Sequence, residues 1–456
     1  MNHITGRNQK QARKGEGDIN ISHHREQWHK QNTSAAADRW LAEDKKHFLH
    51  QSLSTPCLDV LISCSGSSIE NLEGKKYLDF HGNSVHQVGF SHPRIVAALT
   101  DQLQSLSFCT RRYTNIPAIE LASRLSELMG GGYRALFSPG ATSAVGMALK
   151  LSRMVTGRFK TISMWDSFHG ASLDAISVGG ESIFREGVGP LLTGCEHVPP
   201  PDSHHCIFKP DGDCDACELR CARYIEYILD REKDVCAVIA EPLRCTAVNP
   251  PPAGFWRYVR DACDKHGTLL IFDETAICLG RTAKMFAHQH YDVKPDLLIL
   301  GKGLGGGILP FAALLAKDEF NTVGHTALGH YTHEKNPLCC RAGLEVLNII
   351  RDERLLLRAE YLGAQMRNAL DRFHTRFECI TDVRSLGLMA GVYLDNDDLA
   401  EEIMYECLTN GLSFKISQGK CLTLTPPLTI DESELQVALA ILEQALVVAS
   451  NRKIKT

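Results

Sequence analysis

Short apolar runs alternate with amphipathic stretches through the middle of the chain. Between about residues 134 and 316, the runs RALFS, KTISMW, VCAVIA, TLLIF and DLLIL have strand length, and helix-like stretches such as GFWRYVRDACDKHG lie between them. This alternation predicts an α/β fold in which a mostly parallel sheet carries helices on both faces. Ligands of such sheets bind beyond the carboxyl ends of the strands, so the residues that follow each run are the first candidates for function.

The two ends of the chain show other patterns. LISCSGSSIENLEGKKYLDF predicts two short strands around a polar Asn-Leu-Glu-Gly turn, and the segment after about residue 338 predicts a helix, a strand and a second helix. We expect residues 36–100 and 338–456 to form one smaller α+β domain, and residues 101–337 to form the large domain. Residues 1–35 are polar and are expected to be a flexible N-terminal arm, or a segment that orders against a partner subunit.

Composition narrows the class of protein. The 456 residues exceed what one core usually supports, and 44% hydrophobic residues, 23% charged residues and a net charge of -5 argue against a nucleic-acid surface and against disorder. The N-terminus has no apolar core of a signal sequence, and no apolar run is long enough to cross a bilayer, so we expect a cytoplasmic protein without membrane or nucleic-acid partners.

One lysine lies in a glycine-rich turn after the last of these apolar runs. In PDLLILGKGLGGG, the glycines around Lys302 match G-x-G-x-x-G, which weakly indicates a dinucleotide loop. They lead, however, into a second run of strand length, Ile308 to Leu315, instead of a helix. A phosphate-binding P-loop is disfavoured because Lys302 precedes most of the glycines and no Ser or Thr follows it. A lysine in a mostly apolar turn can be desolvated and act as a nucleophile.

Other strand ends carry a complementary set of groups. A helix start after RALFS offers N–H groups and a hydroxyl for a phosphate, although a plain helix cap explains it equally well; an aromatic and an imidazole follow KTISMW, and acids follow VCAVIA and TLLIF. The residues are Gly140, Ala141, Thr142, Phe168, His169, Glu241 and Asp273. Pyridoxal 5'-phosphate needs a lysine, an acid at its pyridine nitrogen, a ring to stack on and an anion site, so the set predicts this cofactor.

The order of these motifs resembles the class III aminotransferase family of fold-type I enzymes, over about residues 45 to 450. The block LLIFDETAICLGRTAKMFAHQHYDVKPDLLILGKGLGGG is similar to that family almost throughout. The resemblance implies a seven-stranded, mostly parallel sheet in the large domain. It also implies Lys302 as the Schiff-base lysine, Asp273 at the pyridine nitrogen and Phe168 stacked on the ring with His169 beside it. Thr332 would reach the phosphate of the neighbouring subunit in a homodimer with shared active sites.

The sequence departs from the family where substrates are held. Amino-acid transaminases of the family carry an arginine before L-x-P-P near the C-terminus, whereas CLTLTPPLTI has Thr423 there. A clamp for an α-carboxylate is therefore absent, which puts ordinary transamination in doubt. Where the family has Asp-Glu-Val-Gln, this chain has Asp273-Glu274-Thr275-Ala276.

The chain is most similar to the phosphonate-degrading ammonia-lyases of the family. This implies a lyase that releases ammonia from a small β-hydroxylated amine such as a hydroxylated aminophosphonate. An ω-amine transaminase and an amino-alcohol phosphate phospho-lyase stay open as alternatives. A phosphonate needs cationic or polar partners, and the candidates, each equally compatible with a structural role, are Arg111, Arg112, Arg244, Arg341 and Asn83.

A Cys/His-rich segment, GCEHVPPPDSHHCIFKPDGDCDACELRCARY, invites a zinc interpretation. Only its Cys214-x-x-Cys217 pair has a recognised spacing. We therefore expect a surface excursion with free thiols and predict no metal site from the sequence.

Overall fold

The computed structural model describes residues 20–204, 206–208 and 217–453. These residues form two compact units. The smaller comprises residues 20–92, 246–248 and 357–453, and the larger comprises the described residues of 93–245 and 249–356. The helix Pro337–Asp352 packs on the helices Pro93–Ser105 and Ile116–Leu128. It therefore belongs to the larger unit, although the sequence placed a domain boundary at its start.

The helices and strands are numbered here in chain order. The helices are α1 His23–Asn32, α2 Ala35–His47, α3 Pro93–Ser105, α4 Ile116–Leu128, α5 Ala141–Thr156, α6 Leu173–Val178, α7 Ser182–Arg185, α8 Arg220–Arg231, α9 Phe255–His266, α10 Pro337–Asp352, α11 Leu355–Arg376, α12 Asp397–Thr409 and α13 Glu432–Lys453. The strands are β1 Leu61–Ser65, β2 Ser68–Asn71, β3 Lys76–Asp79, β4 Tyr133–Ser138, β5 Lys160–Met164, β6 Cys195–Val198, β7 Val235–Ala240, β8 Leu269–Asp273, β9 Leu297–Leu300, β10 Ala312–Lys317, β11 Ile380–Ser385, β12 Ala390–Leu394, β13 Leu412–Ser413, β14 Lys415–Ser417 and β15 Cys421–Leu424.

A seven-stranded sheet forms the centre of the larger unit. Its strand order is β4-β10-β9-β8-β7-β5-β6, and every neighbouring pair is parallel except the two that involve β10. The predicted fold class is therefore confirmed. Because β5, β7, β8 and β9 are parallel to one another, their carboxyl ends lie along one edge of the sheet.

Continuous apolar sequence explains why these strands are central. Every residue of β7, β8 and β9 is buried, as expected for parallel strands covered by helices on both faces. Helix α5 packs on the sheet through Ala144, Val145, Ala148, Leu149 and Leu151, which belong to the main core. Polar residues appear only where these strands end, and the candidate site begins there.

The smaller unit contains two four-stranded sheets, β1-β2-β3-β13 and β11-β12-β15-β14. The prediction of two strands before residue 80 was one strand short, because Gly66 adopts a φ of 57° and turns the chain back between β1 and β2. The single helix predicted around residue 354 is two helices, α10 and α11. Arg354 lies between them with a φ of 52°, outside the helical region.

The N-terminal segment is more ordered than predicted, as far as it is described. Residues 20–35 contain α1 and the start of α2, and the Ser22 hydroxyl caps α1 by accepting a hydrogen bond from the Arg25 N–H at 3.1 Å. Trp28 is buried, which anchors α1 on the smaller unit. The prediction of a flexible arm was wrong for residues 20–35, and residues 1–19 lie outside the described part.

One helix of the described chain, Glu432–Asn451, is long and apolar enough to cross a membrane by length and composition. The sequence had predicted no run that is long and apolar enough to cross a bilayer. The buried residues of α13 recur every three or four positions and so lie on one face of the helix: Leu435, Ala438, Leu442, Ala445, Leu446 and Ala449. Such spacing is typical of a helix packed on a protein core.

Candidate active site

Asp273 ends β8 and is buried among polar groups. Its Oδ2 lies 2.8 Å from His169 Nδ1, and its Oδ1 accepts hydrogen bonds from the N–H and the hydroxyl of Thr275 at 3.1 and 2.5 Å. Burial by itself would raise the pKa of Asp273, but the contacts with His169 and Thr275 outweigh it and hold the pKa below its ordinary value. The carboxylate therefore stays ionised although it is only 4% exposed.

His169 reaches Asp273 from the loop that follows β5. The imidazole is buried, and its Nε2 has no hydrogen-bond partner among the described residues. Because a buried polar atom without a partner is costly, Nε2 marks a place where a further group can bind. Sequence reasoning found both residues, but it did not pair them.

Lys302 begins a short 3-10 turn, Lys302–Gly305, directly after β9. The lysine has a φ of 46° and is half-buried. A side chain at the preceding residue, Gly301, would place its Cβ 3.0 Å from Thr275 Cγ2 and 3.1 Å from Ala141 Cβ. The absence of a side chain at Gly301 thus lets the lysine turn pass closely between the Asp273–Thr275 segment and the start of α5.

Helix α5 begins in the same region. Gly140 is its N-cap residue and makes no side-chain cap, and the first N–H groups of a helix have no partner within the helix. Gly170, with a φ of 117°, lies against Thr142 so closely that a Cβ there would be 2.1 Å from Thr142 Oγ1. The predicted phosphate cradle and the His169 loop are therefore neighbours.

A second charged network lies beside the His169 loop. Arg244 donates hydrogen bonds to Glu241 Oε1 at 2.5 Å and to Glu181 Oε1. Glu241 also accepts hydrogen bonds from the N–H groups of Phe168, at 3.4 Å, and of Cys245, at 3.2 Å. Arg244, a predicted phosphonate ligand, is thus held between the carboxylates of Glu181 and Glu241, and Glu241 contacts protein groups at both of its oxygens. The cofactor contact predicted for Glu241 stays a prediction.

The remaining substrate candidates are not brought to one place in the larger unit. Arg111 and Arg112 are exposed in a turn before α4, and Arg341 is partly buried within α10. Thr332 is exposed in the loop before α10. Asn83 lies in the smaller unit, exposed, in a short turn with a φ of 46°.

Thr423 lies in β15 of the smaller unit, where it is 2% exposed. Its hydroxyl donates a hydrogen bond to the carbonyl oxygen of Thr246 at 2.9 Å and contacts Ser417 Oγ at 3.0 Å. Tyr393 donates a hydrogen bond to the next carbonyl, of Ala247, at 2.7 Å. The position at which the sequence lacks the family's arginine is therefore filled by an uncharged hydrogen-bond network.

Sequence reasoning did not predict that Thr275, Glu181, Thr246, Ser417 and Tyr393 belong to these networks. Thr275 was noticed only as a departure from the family, although its place two residues after Asp273 is typical of a hydroxyl that bonds a nearby carboxylate. Glu181 and Thr246 lie outside every motif considered, and no local sequence signal points to them.

The fold and the residues at the strand ends together define the class of protein. The chain matches the Aminotransferase class-III family over residues 54–446 and belongs to that family. Among its relatives, the (R)-1-hydroxy-2-aminoethylphosphonate ammonia-lyase of Vibrio splendidus is 45% identical, over 95% of both chains. An acetylornithine aminotransferase of Caldanaerobacter subterraneus is 32% identical, over 85% of this chain and 94% of its own.

Solved structures agree with this assignment of the fold. An amine transaminase from an uncultivated Pseudomonas species, in its PLP-bound form, has a TM-score of 0.82 and 28% identity, over 88% of this chain and 99% of its own. An (S)-enantioselective omega-transaminase from Thermomicrobium roseum has a TM-score of 0.83 and 26% identity, over 92% of this chain and 99% of its own.

Proposed function

We propose that the chain is a pyridoxal phosphate-dependent ammonia-lyase that converts (R)-1-hydroxy-2-aminoethylphosphonate to phosphonoacetaldehyde and ammonia. The observation that carries the proposal is the 45% identity to an ammonia-lyase of that name over 95% of both chains. The acetylornithine aminotransferase is 32% identical, so the likeness to the lyase goes beyond what the family shares.

The residues at the strand ends fit pyridoxal phosphate. Asp273 is kept ionised by His169 and Thr275, as an acid that faces a protonated pyridine nitrogen must be. The orphan His169 Nε2 and the uncapped start of α5 offer further polar contacts. We assign Lys302 as the residue that holds the cofactor, Gly140, Ala141 and Thr142 to its phosphate, and Phe168 and His169 to its ring.

The cofactor and Lys302 have different roles in the proposed reaction. When bound, pyridoxal phosphate would supply a sink for the electron pair of a C–H bond that breaks at the amine-bearing carbon. Lys302 Nζ takes the proton from the amine-bearing carbon. The electron pair then forms a double bond to the neighbouring carbon as its C–O bond breaks and hydroxide leaves. The hydroxide and the proton held by Lys302 leave as one water. The enamine that remains shifts a proton from nitrogen to carbon and becomes an imine, and a second water hydrolyses this imine, so the sum is substrate to aldehyde plus ammonia.

The hydroxyl of Thr423, at the position where amino-acid transaminases of the family carry an arginine, supports a lyase over a transaminase. A transaminase must also bind a keto acceptor, and the usual acceptors carry a carboxylate for which an arginine is the natural partner. Thr423 offers only a hydroxyl, and that hydroxyl is already bonded to Thr246. Elimination needs one substrate and no such partner.

The finer assignments about partners and location belong to the same proposal. We propose a cytoplasmic homodimer in which Thr332 contacts the phosphate of the neighbouring subunit. Arg111, Arg112, Asn83 and Arg244 stay candidates for the phosphonate. Arg244 would have to leave Glu181 or Glu241 to serve, so it is the least suited of the four.

A pair of substrates separates the two reaction classes. (R)-1-Hydroxy-2-aminoethylphosphonate should yield aldehyde without any keto acid, whereas 2-aminoethylphosphonate, which lacks the leaving hydroxyl, should yield none even with pyruvate. Lys302→Ala should lose activity and the near-visible absorbance of the bound cofactor, while the exposed Lys46→Ala serves as a control that keeps both. Turnover of 2-aminoethylphosphonate with pyruvate as the preferred reaction would make the enzyme a transaminase.

A further inference from the structure

Two histidines and an aspartate of the smaller unit form a compact cluster that includes none of the candidate active-site residues. One ligand atom of each of His23, His24 and Asp398 lies within 4.8 Å of those of the other two. His24 Nε2 is 3.1 Å from Asp398 Oδ1, and the two imidazole centroids are 3.9 Å apart. The cluster joins the first turn of α1 to the first turn of α12.

We propose that His23, His24 and Asp398 bind a divalent transition-metal ion of the Zn²⁺ type. Two imidazoles and one carboxylate are the ligands that such ions prefer, and water can complete the coordination. Ligand atoms around a tetrahedral zinc ion lie about 3.4 Å apart, given bonds of about 2.1 Å. Small side-chain rotations close the gap from 4.8 Å, and His23 and Asp398 are exposed and therefore able to make them.

The backbone below the cluster is fixed by other contacts. Ser22 caps α1 and Asn396 caps α12 with a side-chain oxygen, and the two helices pack on each other. Farther along both helices, the buried rings of Trp28 and Tyr405 lie 6.3 Å apart. The cluster is thus supported from below by apolar packing, so metal binding requires only side-chain movement.

Charge at the cluster also favours a cation. Two helix starts contribute a partial charge of about +0.5 each. The first turn of α12 holds two carboxylates, Asp397 and Asp398, which together contribute -2. The carboxylates outweigh the helix ends, so a divalent ion meets a net negative site.

A second cluster provides a contrast. One ligand atom of each of Glu226, Asp230 and His266, in the larger unit, likewise lies within 4.8 Å of those of the other two. Lys265 already places its ammonium group 2.8 Å from Glu226 and 3.8 Å from Asp230, so a cation is present among these ligands. Asp398, in contrast, forms its ion pair with the imidazole of His24. We therefore assign the metal to the first cluster and use the second as a control.

Zinc binding would add a link between α1 and α12. An ion that binds the folded state and not the unfolded chain raises stability with its concentration. The link would act on the N-terminal helix, which the chain holds otherwise through Trp28 and a few polar contacts such as that of Arg25 with the carbonyl of Pro56 at 2.6 Å.

Calorimetric titration of the untagged, chelator-treated holoenzyme with ZnCl₂ tests the proposal. The wild type should bind one equivalent of Zn²⁺. Any Zn²⁺ that the variants His24→Gln, Asp398→Asn and His23→Ala still bind should be bound at least tenfold more weakly. The control variants Asp230→Asn and His47→Ala should keep that equivalent. Amide exchange of residues 23–32 should slow on addition of Zn²⁺ in the wild type and in the controls only.

Two results would overturn the metal site. One is a wild type that binds no micromolar Zn²⁺, and the other is a full equivalent retained by Asp398→Asn and His24→Gln together. His23 is exposed, so His23→Ala should leave the fold intact. It therefore tests the site even if substitution of the less exposed His24 lowers stability. Lyase activity is measured in parallel but decides nothing here, since the proposal does not depend on it.

Discussion

Two buried carboxylates, one in each unit, have pKa values that are shifted in opposite directions from the ordinary value. Asp273 in the larger unit is 4% exposed and Asp79 in the smaller unit is 6% exposed. Burial raises the pKa of Asp79 to about 6, because backbone N–H groups of His81 and Gly82 and the Ser413 side chain compensate only in part. Burial acts on Asp273 too, but His169 and Thr275 together bring its pKa below the ordinary value.

The difference lies in the partners and not in the depth of burial. Asp79 accepts hydrogen bonds from two backbone N–H groups at 3.0 Å, which carry no net charge. Asp273 has the His169 imidazole at 2.8 Å, which lowers the pKa of Asp273 both by its hydrogen bond and by its charge interaction, in addition to the Thr275 hydroxyl. An ionised acid at Asp273 is what a protonated pyridine ring requires, so the proposed cofactor role falls to Asp273 and not to Asp79.

Replacing Asp273 by Asn should have the largest effect. Asparagine cannot hold the proton on the ring nitrogen, so kcat/KM for the hydroxylated aminophosphonate should fall on the order of 10²–10⁴-fold. Steady-state assays of aldehyde release measure it. Asp79→Asn is the matched control, with an expected loss below about tenfold. Equal losses for the two variants would remove the functional distinction between the two carboxylates.

Removing the imidazole partner should make Asp273 resemble Asp79. In His169→Phe, burial is no longer offset by the charged contact, so the pKa of Asp273 should rise and the acid limb of the pH–rate profile should move to higher pH. A hydrogen bond to a charged group contributes about 1.5–3 kcal/mol, which corresponds to about tenfold or more in activity below neutral pH. His169→Gln, which retains a donor, should recover part of the loss. An unchanged acid limb in His169→Phe would contradict the assigned role.

Asp79 should make stability depend on pH in the direction opposite to Asp273. Its pKa is raised in the folded state, so its stabilising contribution is present below about pH 4 and is lost as the pH rises through about 6. The free energy of unfolding of the wild type relative to Asp79→Asn should fall by about 2–3 kcal/mol between pH 4 and pH 8. Denaturant unfolding at several pH values measures this difference, and a pH-independent difference would refute the shift.

The uncharged network at Thr423 should give the smallest effect. Thr423→Val removes one hydrogen bond to the Thr246 carbonyl and should cost about 1 kcal/mol of unfolding free energy. Tyr393→Phe removes the bond to the Ala247 carbonyl and serves as the matched variant. Cofactor absorbance should persist in both. Loss of that absorbance in Thr423→Val, but not in Tyr393→Phe, would show that Thr423 acts on the site in the larger unit.

Much of the larger unit could be predicted from the sequence. Its strands are continuous apolar runs, and the polar residues after them stand out, so the sequence singled out Asp273, His169 and Lys302 as candidates. Their mutual contacts could not be predicted, because the bond between His169 and Asp273 joins residues 104 positions apart. Sequence patterns report which face of an element is buried, and they do not report which side chains meet across strands.

Prediction was poorer in the smaller unit and at the N-terminus. The turn at Gly66 and the helix break at Arg354 depend on single residues with positive φ, which periodicity does not register. Helix α1 has a polar sequence and is held by one buried tryptophan and a capping serine, so its composition resembled a flexible arm. The hydrogen bonds of Arg244 with Glu181 and Glu241 likewise depend on the tertiary structure, since Glu181 lies 63 positions from Arg244.

The most direct test of the proposed lyase is the product balance without any acceptor. Purified enzyme loaded with pyridoxal phosphate is incubated with (R)-1-hydroxy-2-aminoethylphosphonate in the absence of a keto acid, and ammonia and phosphonoacetaldehyde are quantified over many turnovers. The proposed reaction yields one ammonia per aldehyde at a constant rate. Aldehyde that stops at one equivalent per active site, and resumes only when pyruvate or 2-oxoglutarate is added, would contradict it and identify a transaminase.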